Sequence, residues 1–397
     1  MENRAAGDDG FADDEFVVNI ENVSGKVDYS KLIQRFGSEP IMPGLVERIE
    51  RLTGRPAHPF LSRGFFFSHR ELDKLLDAYE GGRKFYLYTG RGPSTDSMHL
   101  GHLIPFIFCK YLQDAFDVPV VIQMTDDEKY LYKQVNLESL RQYTIENVRD
   151  IIACGFDVNK TFIFSNLEYI QHLYPNVLRI QKNVTVNQVR AIFGVNDSSN
   201  IGKVSFSAIQ AAPSFASSFP QVFEGCQNML CLIPCGIDQD PYFLMTRDVA
   251  PRLGSPKPHL IHSKFLPALQ GMDKKMSSSV EESAIFLTDS EARIREKVMK
   301  YAFSGGQSTI SDHRRLGADL NVDISYQYLS FFLEDEKELQ RIRAEYSSGK
   351  MLTVEVKKIL VGLISELVRR HQAARSGISD DLVREFMSVR KLNLSAP

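Results

Sequence analysis

The 397-residue chain contains no tryptophan, no Cys-x-x-Cys pair, and no unbroken apolar run of the roughly 18 residues that a membrane-spanning helix needs. The first absence excludes nothing by itself. The second removes the commonest zinc and dithiol patterns. Five cysteines remain (Cys109, Cys154, Cys226, Cys231 and Cys235), an odd number, and Cys231 and Cys235 flank an apolar Leu-Ile-Pro, so they read as small buried hydrophobes. The third excludes a membrane span. A positive balance is missing too: 47 Lys and Arg stand against 50 Asp and Glu, for a net charge of -3. Any nucleic-acid contact must therefore come from a local basic face. The N-terminus has no secretory apolar stretch, and Asp8, Asp9, Asp13, Asp14 and Glu15 do not suit a mitochondrial presequence. A cytoplasmic protein is the expectation, in which a sequon such as Asn22-Val23-Ser24 carries little meaning. No internal repeat or low-complexity segment is visible.

What is present is ordinary globular material, 43% hydrophobic and 24% charged, in a length that suits two domains or more. Residues 1–14 read as a disordered acidic tail. Residues 15–82 read as a strand-and-helix extension packing on the domain that begins at residue 83. In the extension, Phe16 to Ile20 suggests a strand and Asn22 to Gly25 a turn. Pro43 to Leu52 suggests a helix ended by Gly54. Ser68-His69-Arg70-Glu71 has the form of a capping box, with Phe67 and Leu72 as a hydrophobic staple.

From residue 83 the pattern changes. Phe85 to Thr89 is an apolar strand ending in Gly90-Arg91-Gly92-Pro93, a helical stretch runs from His99 to Phe116, and Val118 to Met124 is a second buried strand. That is a βαβ unit. Further strands at Thr161–Phe164, Met229–Cys235 and His259–His262 alternate with helices, which predicts a doubly wound, Rossmann-like parallel sheet over 83–280. Residues 281–397 read as helices only, with Thr353 and Ser379 placed as N-caps.

In such a sheet ligands sit at the carboxyl ends of the strands, and four loops there carry chemistry. Gly90, Gly92 and Gly101 let a ligand approach the backbone, while His99 and His102 stand three apart in the first turn of a helix whose free N–H groups attract anions. Two histidines without a third ligand are a poor metal site. Gln123 to Tyr130 ends the neighbouring strand with carboxylates that can meet an ammonium group or simply cap a helix. Gly236-Ile237-Asp238-Gln239 offers the Gly-plus-acid pattern that holds a ribose, though an ordinary turn looks similar. Finally, Lys275-Met276-Ser277-Ser278-Ser279 puts a lysine in a polar loop that can close over a polyphosphate or serve as an exposed linker.

His99-Leu100-Gly101-His102 and Lys275-Met276-Ser277-Ser278-Ser279 resemble, in order and separation, the two signatures of class I aminoacyl-tRNA synthetases. Tyr88 to Pro93, Met124 to Tyr130, Ile209 to Phe215 and Gly236 to Tyr242 are similar to the eukaryotic cytoplasmic tryptophanyl members of that class. The resemblance implies activation of L-tryptophan with ATP and Mg2+, then transfer to tRNA(Trp), in a homodimer. It implies His99, His102, Lys275 and Ser277 as catalytic residues. Tryptophan would be bound by Tyr88 and Gln239 at the indole N–H and by Gln123, Glu128 and Gln210 at the amino and carboxylate end. ATP would meet Gly90, Arg91, Gly92, Gly101, Lys129, Gly236, Asp238 and Met276 besides the signature groups, and Lys357 would contact the anticodon. The helical region then becomes an anticodon-binding domain, and no protein-held metal site is expected.

Two positions depart from the pattern. Ser278 replaces a second signature lysine, and Ser308 stands where better-known members have an aspartate that reads an anticodon base. Arg314, Arg315, Lys357, Lys358, Arg369 and Arg370 can form the local tRNA face. The rival within the class is a tyrosyl-tRNA synthetase. A nucleotidylyltransferase would not need the helical domain, and a silent tRNA-binding protein would need no intact signature.

Overall fold

The computed structural model describes residues 16–18, 23–25, 27–226, 228–276 and 280–394. The expected acidic tail at 1–14, Asn19, Ile20 and Asn22 of the first strand and turn, and Ser277, Ser278 and Ser279 lie outside those residues.

A seven-stranded sheet forms the centre. Across it the strands run Glu39–Pro40, Phe66–Arg70, His259–Ser263, Leu230–Gly236, Phe85–Arg91, Val120–Met124 and Thr161–Ser165. The last five are parallel to one another, and the first two add an antiparallel edge. The parallel strands are apolar and buried on both faces, as strands sandwiched between helices must be. Helices Leu72–Glu80 and Leu100–Phe116 cover one face; Asn166–Asn183, Ile201–Ala211 and Asp240–Val249 cover the other. Chain order reverses between the adjacent strands Phe85–Arg91 and Leu230–Gly236. That switch point opens a crevice above their carboxyl ends.

The edge strands correct one expectation. Ser68 to Glu71 is not a capping box. Phe66–Arg70 is a strand, Ser68 Oγ pairs with His262 Nδ1 at 2.9 Å, and the helix starts only at Leu72. Glu71 takes the left-handed conformation at φ 54 and binds Lys74 and Arg247 instead of a helix N-terminus. The aromatic run before Ser68 favours a pleated surface, and the tertiary partner decided the outcome. The helix Pro43–Thr53 forms as expected, with Pro43 in its first turn and Gly54 at φ 63 ending it.

A second small sheet holds the signature lysine. The hairpin Phe16–Val18 and Val23–Gly25 lies against the strand Gly271–Lys275, which pairs in turn with Pro267–Ala268. Past Lys275 the described residues form the helices Glu291–Tyr301, Ile310–Leu316, Ile324–Phe332, Glu336–Ser347, Thr353–Ser376 and Asp380–Met387, with one 3-10 turn at Glu281–Ser283 and a single antiparallel bridge from Phe286 to His99. Ser379 is an N-cap, its hydroxyl accepting from Leu382 N at 3.2 Å. Thr353 is not. The cap is Leu352, whose N–H reaches Glu355 at 2.7 Å, while Thr353 Oγ1 joins Tyr346 and Ser304 in a half-buried hydroxyl cluster. After the last helix the chain returns to the sheet, where Leu392 is fully buried and its N–H bonds Val222 O. No helix among the described residues is long and apolar enough to cross a membrane. None of the five cysteines is bonded to another; Cys109, Cys231 and Cys235 are buried, Cys154 half-buried and Cys226 exposed.

Candidate active site

A cavity of about 330 Å³ lies at the switch point. Gly90, Arg91 and Gly92 line it from one strand end, Gly236, Asp238 and Gln239 from the other. Gly101, His102 and Pro105 come from the helix between the first two parallel strands, Glu128 and Lys129 from the short helix Asp126–Tyr132 after the second, and Gln210 from the opposite face. Lys275 reaches in from the small sheet. Most of the expected site residues therefore converge although the chain separates them widely. Phe106, Phe206 and Phe243, which no sequence motif marks, supply apolar wall together with Tyr242, the last residue of the Gly236 to Tyr242 stretch.

The charges are arranged for an anion. Arg91 Nε donates to Asn147 Oδ1 at 2.9 Å, and its buried Nη2 has no partner among the described residues. Burial lowers the guanidinium to about 10, opposed by Glu128 and Asp150. Lys129 Nζ sits 2.8 Å from Glu128 Oε1, and Glu128 Oε2 accepts from Thr125 Oγ1 at 2.7 Å. Lys275 Nζ is 3.1 Å from Asp238 Oδ2. A Cβ on Gly92 would fall 2.1 Å from Lys129 Cε, and one on Gly236 2.7 Å from Asp238 Oδ1, so these charged groups can lie over the backbone only because both residues are glycine.

The histidines stack on each other, ring centroids 3.5 Å apart. His99 is the N-cap; its N–H donates to His102 Nδ1 at 3.3 Å, which leaves His102 Nε2 as the position for the ring proton. Burial, then Arg91, pushes His99 down to about 3 and His102 well below its ordinary value. Both are neutral rings at pH 7. His102 lines the cavity, while buried His99 stands behind it and crowds the space above Gly101.

Tyr88 and Gln123 do not line the cavity. Both are fully buried, and the Tyr88 hydroxyl lies 2.5 Å from Gln123 Oε1 and donates to Gln210 O at 2.9 Å. Gln123 Nε2 donates to Asn166 Oδ1 at 2.8 Å, and Asn166 donates to Asp127 Oδ1 at 2.7 Å. Burial raises Asp127 to about 6 despite that bond. Asn166 follows the strand Thr161–Ser165, so a polar residue at a strand's carboxyl end was the signal available for it. Met276 is 5% exposed and belongs to the apolar core, its N–H on Leu266 O; it is outside the cavity.

Lys357 lies far along the chain, 8% exposed, with its ammonium on Met299 O at 3.1 Å in the last turn of Glu291–Tyr301. Burial lowers its pKa. Among the other basic residues, Arg314 bonds the carbonyls of Gly349 and Lys350, Arg315 pairs with Asp312, and Arg369 and Arg370 share Glu366. Ser308 is exposed. No group of three or more His, Cys, Asp or Glu side chains among the described residues is placed to hold a metal.

A family model described as "tRNA synthetases class I (W and Y)" matches residues 80–368. The cytoplasmic tryptophan–tRNA ligase of Oryctolagus cuniculus is 59% identical over 96% of this chain and 80% of its own length. That of Homo sapiens is 58% identical over 96% and 81%. A crystal structure of Plasmodium falciparum tryptophanyl-tRNA synthetase superposes with a TM-score of 0.86 at 49% identity, covering 91% of this chain and 95% of that one. These relatives do not favour the tyrosyl reading. With a Rossmann-like sheet, a crevice lined by Arg91, Lys129 and Lys275 at its switch point and relatives of this closeness, the chain belongs to the class I tRNA synthetases of the tryptophan and tyrosine group, and within it to the cytoplasmic tryptophan–tRNA ligases.

Proposed function

We propose that the crevice activates L-tryptophan on ATP and then charges tRNA(Trp). The observation that carries this reading is that Arg91, whose buried Nη2 has no partner among the described residues, lines the same cavity as Lys129 and Lys275. Three cations around one cavity need more negative charge than Glu128 and Asp238 supply, and a triphosphate brings it.

In the first step a tryptophan carboxylate oxygen attacks the α-phosphorus. The bond from that phosphorus to the bridging oxygen breaks, and pyrophosphate leaves with the electron pair. No enzyme nucleophile is required, so catalysis is positioning and charge stabilisation. The neutral His102 ring donates from Nε2; His99 holds its orientation. Lys275, released from Asp238, follows the leaving phosphates, while Asp238 takes the ribose. Magnesium enters with the nucleotide as part of the substrate and neutralises phosphate charge. In the second step the terminal 2′-hydroxyl of the tRNA attacks the acyl carbon and AMP leaves.

Gln239 and Gln210 stand at the cavity wall and suit the indole N–H and the amino-acid end. Tyr88 reaches the indole only by exchanging its bond to Gln123 or Gln210. Ser277 completes the signature loop. Residues 83–280 are assigned to catalysis and 281–397 to the anticodon, with Lys357 the proposed base contact and a homodimer the proposed assembly. Tryptophan-dependent ATP–pyrophosphate exchange, run across the amino acids, tests the reading. Exchange with tyrosine in place of tryptophan sinks it.

A further inference from the structure

Behind Lys275 lies a second cavity, about 360 Å³, which shares that lysine with the catalytic one. Aromatic rings of Tyr29, Phe65, Phe265 and Phe331 form its walls, and among the described residues no carboxylate lines it. Its other cation is Lys264, the first residue past the strand His259–Ser263. That strand pairs in register with the neighbour ending at Gly236, so Lys264 leaves the sheet at the carboxyl edge where ligands bind.

The backbone of Lys264 is fixed: its N–H donates to Phe65 O at 2.8 Å. Its ammonium stands 5.4 Å from the centre of the Tyr29 ring. Among the described residues it has no carboxylate or hydrogen-bond partner. Tyr29 is anchored beside it, its hydroxyl accepting from Phe265 N at 3.1 Å. Lys275 Nζ lies 5.5 Å from the Phe265 ring. Lys264 Nζ thus stands by Tyr29 and Lys275 Nζ by Phe265, two residues joined by the bond from Phe265 N to the Tyr29 hydroxyl. One of the two ammonium groups is already neutralised by Asp238; the other has only an aromatic face, and burial lowers its pKa. A half-buried ammonium without an anion gains from a ligand that supplies the charge.

We infer that Lys264 is a second cation for the phosphate chain, binding the pyrophosphate end of the nucleotide with Lys275 and offsetting the serine at signature position 278. The inference rests on the proposed handling of ATP at Lys275. Pyrophosphate fits this cavity because it is small, carries several negative oxygens and leaves from the side on which Lys275 stands. A backbone phosphate of tRNA has the same chemistry, and the experiment separates the two.

Tryptophan-dependent ATP–pyrophosphate exchange is measured without tRNA for the unmodified enzyme, Lys264→Met and Lys264→Arg. Loss of one charge-assisted contact should raise the KM for pyrophosphate about tenfold in Lys264→Met. The KM for tryptophan should stay unchanged, and Lys264→Arg should recover most of the loss. Thermal unfolding shows that both variants are folded, and Lys264→Gln replaces Lys264→Met if that variant is not. Normal exchange with an unchanged pyrophosphate KM overturns the inference, as does a defect that appears only in the KM for tRNA when aminoacylation is measured alongside. No exchange in the unmodified enzyme instead sinks the functional reading beneath it.

Discussion

Arg70 grips Asp240 with two hydrogen bonds, Nε to Oδ1 and Nη2 to Oδ2, each 2.7 Å, joining the antiparallel edge strand to the residue just after Gln239. Asp240 is fully buried, and His262 Nε2 stands 3.0 Å from its Oδ1. Arg70 also holds the carbonyls of Phe36 and Gly37. The loop that carries Asp238 and Gln239 is therefore pinned from outside the parallel sheet.

Arg70→Met should destabilise the protein by about 3–5 kcal/mol, since it strands a buried carboxylate. Urea unfolding measures it. The pair also has an acid signature. Burial alone would raise the Asp240 carboxyl, yet Arg70 and His262 hold it down, from 3.8 to about 2. Its contribution is complete above the ordinary value and disappears as pH falls from about 4 to about 2. In Arg70→Met that part of the acid transition should vanish.

His99 works in a higher window. Its folded value of about 3 lies below the ordinary 6.5, so on acidification the unfolded chain takes up the proton first. Stability should fall as pH drops through that interval, by up to about 1.4 kcal/mol per pH unit for this one proton. His99→Gln should flatten the slope. A slope identical to that of the unmodified protein would place the His99 proton elsewhere.

Lys275→Ala should slow tryptophan-dependent exchange by about 10²–10³ while leaving the KM for tryptophan nearly unchanged, because the lost charge acts on the departing phosphates. Bound tryptophan can be followed by its own fluorescence, since the chain has none. Equal losses in binding and rate would contradict the proposed role.

Gly92→Ala places a methyl 2.1 Å from Lys129 Cε and 2.7 Å from its Nζ. A flexible side-chain end can move aside, so folding should survive. The displaced ammonium should raise the KM for ATP by about tenfold, worth one charged contact. An unchanged KM would remove Lys129 from the phosphate site.

Lys357→Met keeps the buried stem and gives up the bond to Met299 O, a cost of about 1–2 kcal/mol. Aminoacylation should show a raised KM for tRNA with pyrophosphate exchange intact. A parallel fall in both would make Lys357 a packing residue of the helical region.

The parallel sheet and its crevice were legible because each strand is an apolar run ended by Gly or a polar loop, a pattern written locally. The antiparallel edge was not. Ser68 and Glu71 carry local capping chemistry, but their partners, His262 and Arg247, come from distant parts of the chain. Thr353 misled in the same way, through Tyr346 and Ser304. Within the site, motif spacing pointed to His102, Lys275 and Asp238. It said nothing of Asn147 under Arg91, or of Asn166 tying Gln123 to Asp127, because a buried amide is chosen by its neighbours in space.

The ion pair between Lys275 and Asp238 has a consequence for ligand discrimination. Each group serves as a stand-in for the other's ligand. An inorganic phosphate that captures Lys275 leaves Asp238 as a bare, 7% exposed carboxylate, which is expensive. On the proposed reading, a nucleotide would offset that cost at both ends, phosphate to the lysine and ribose hydroxyl to the aspartate. A crevice closed by this pair would thereby favour molecules that carry both groups at the right separation and resist being filled by the anions that surround it in solution.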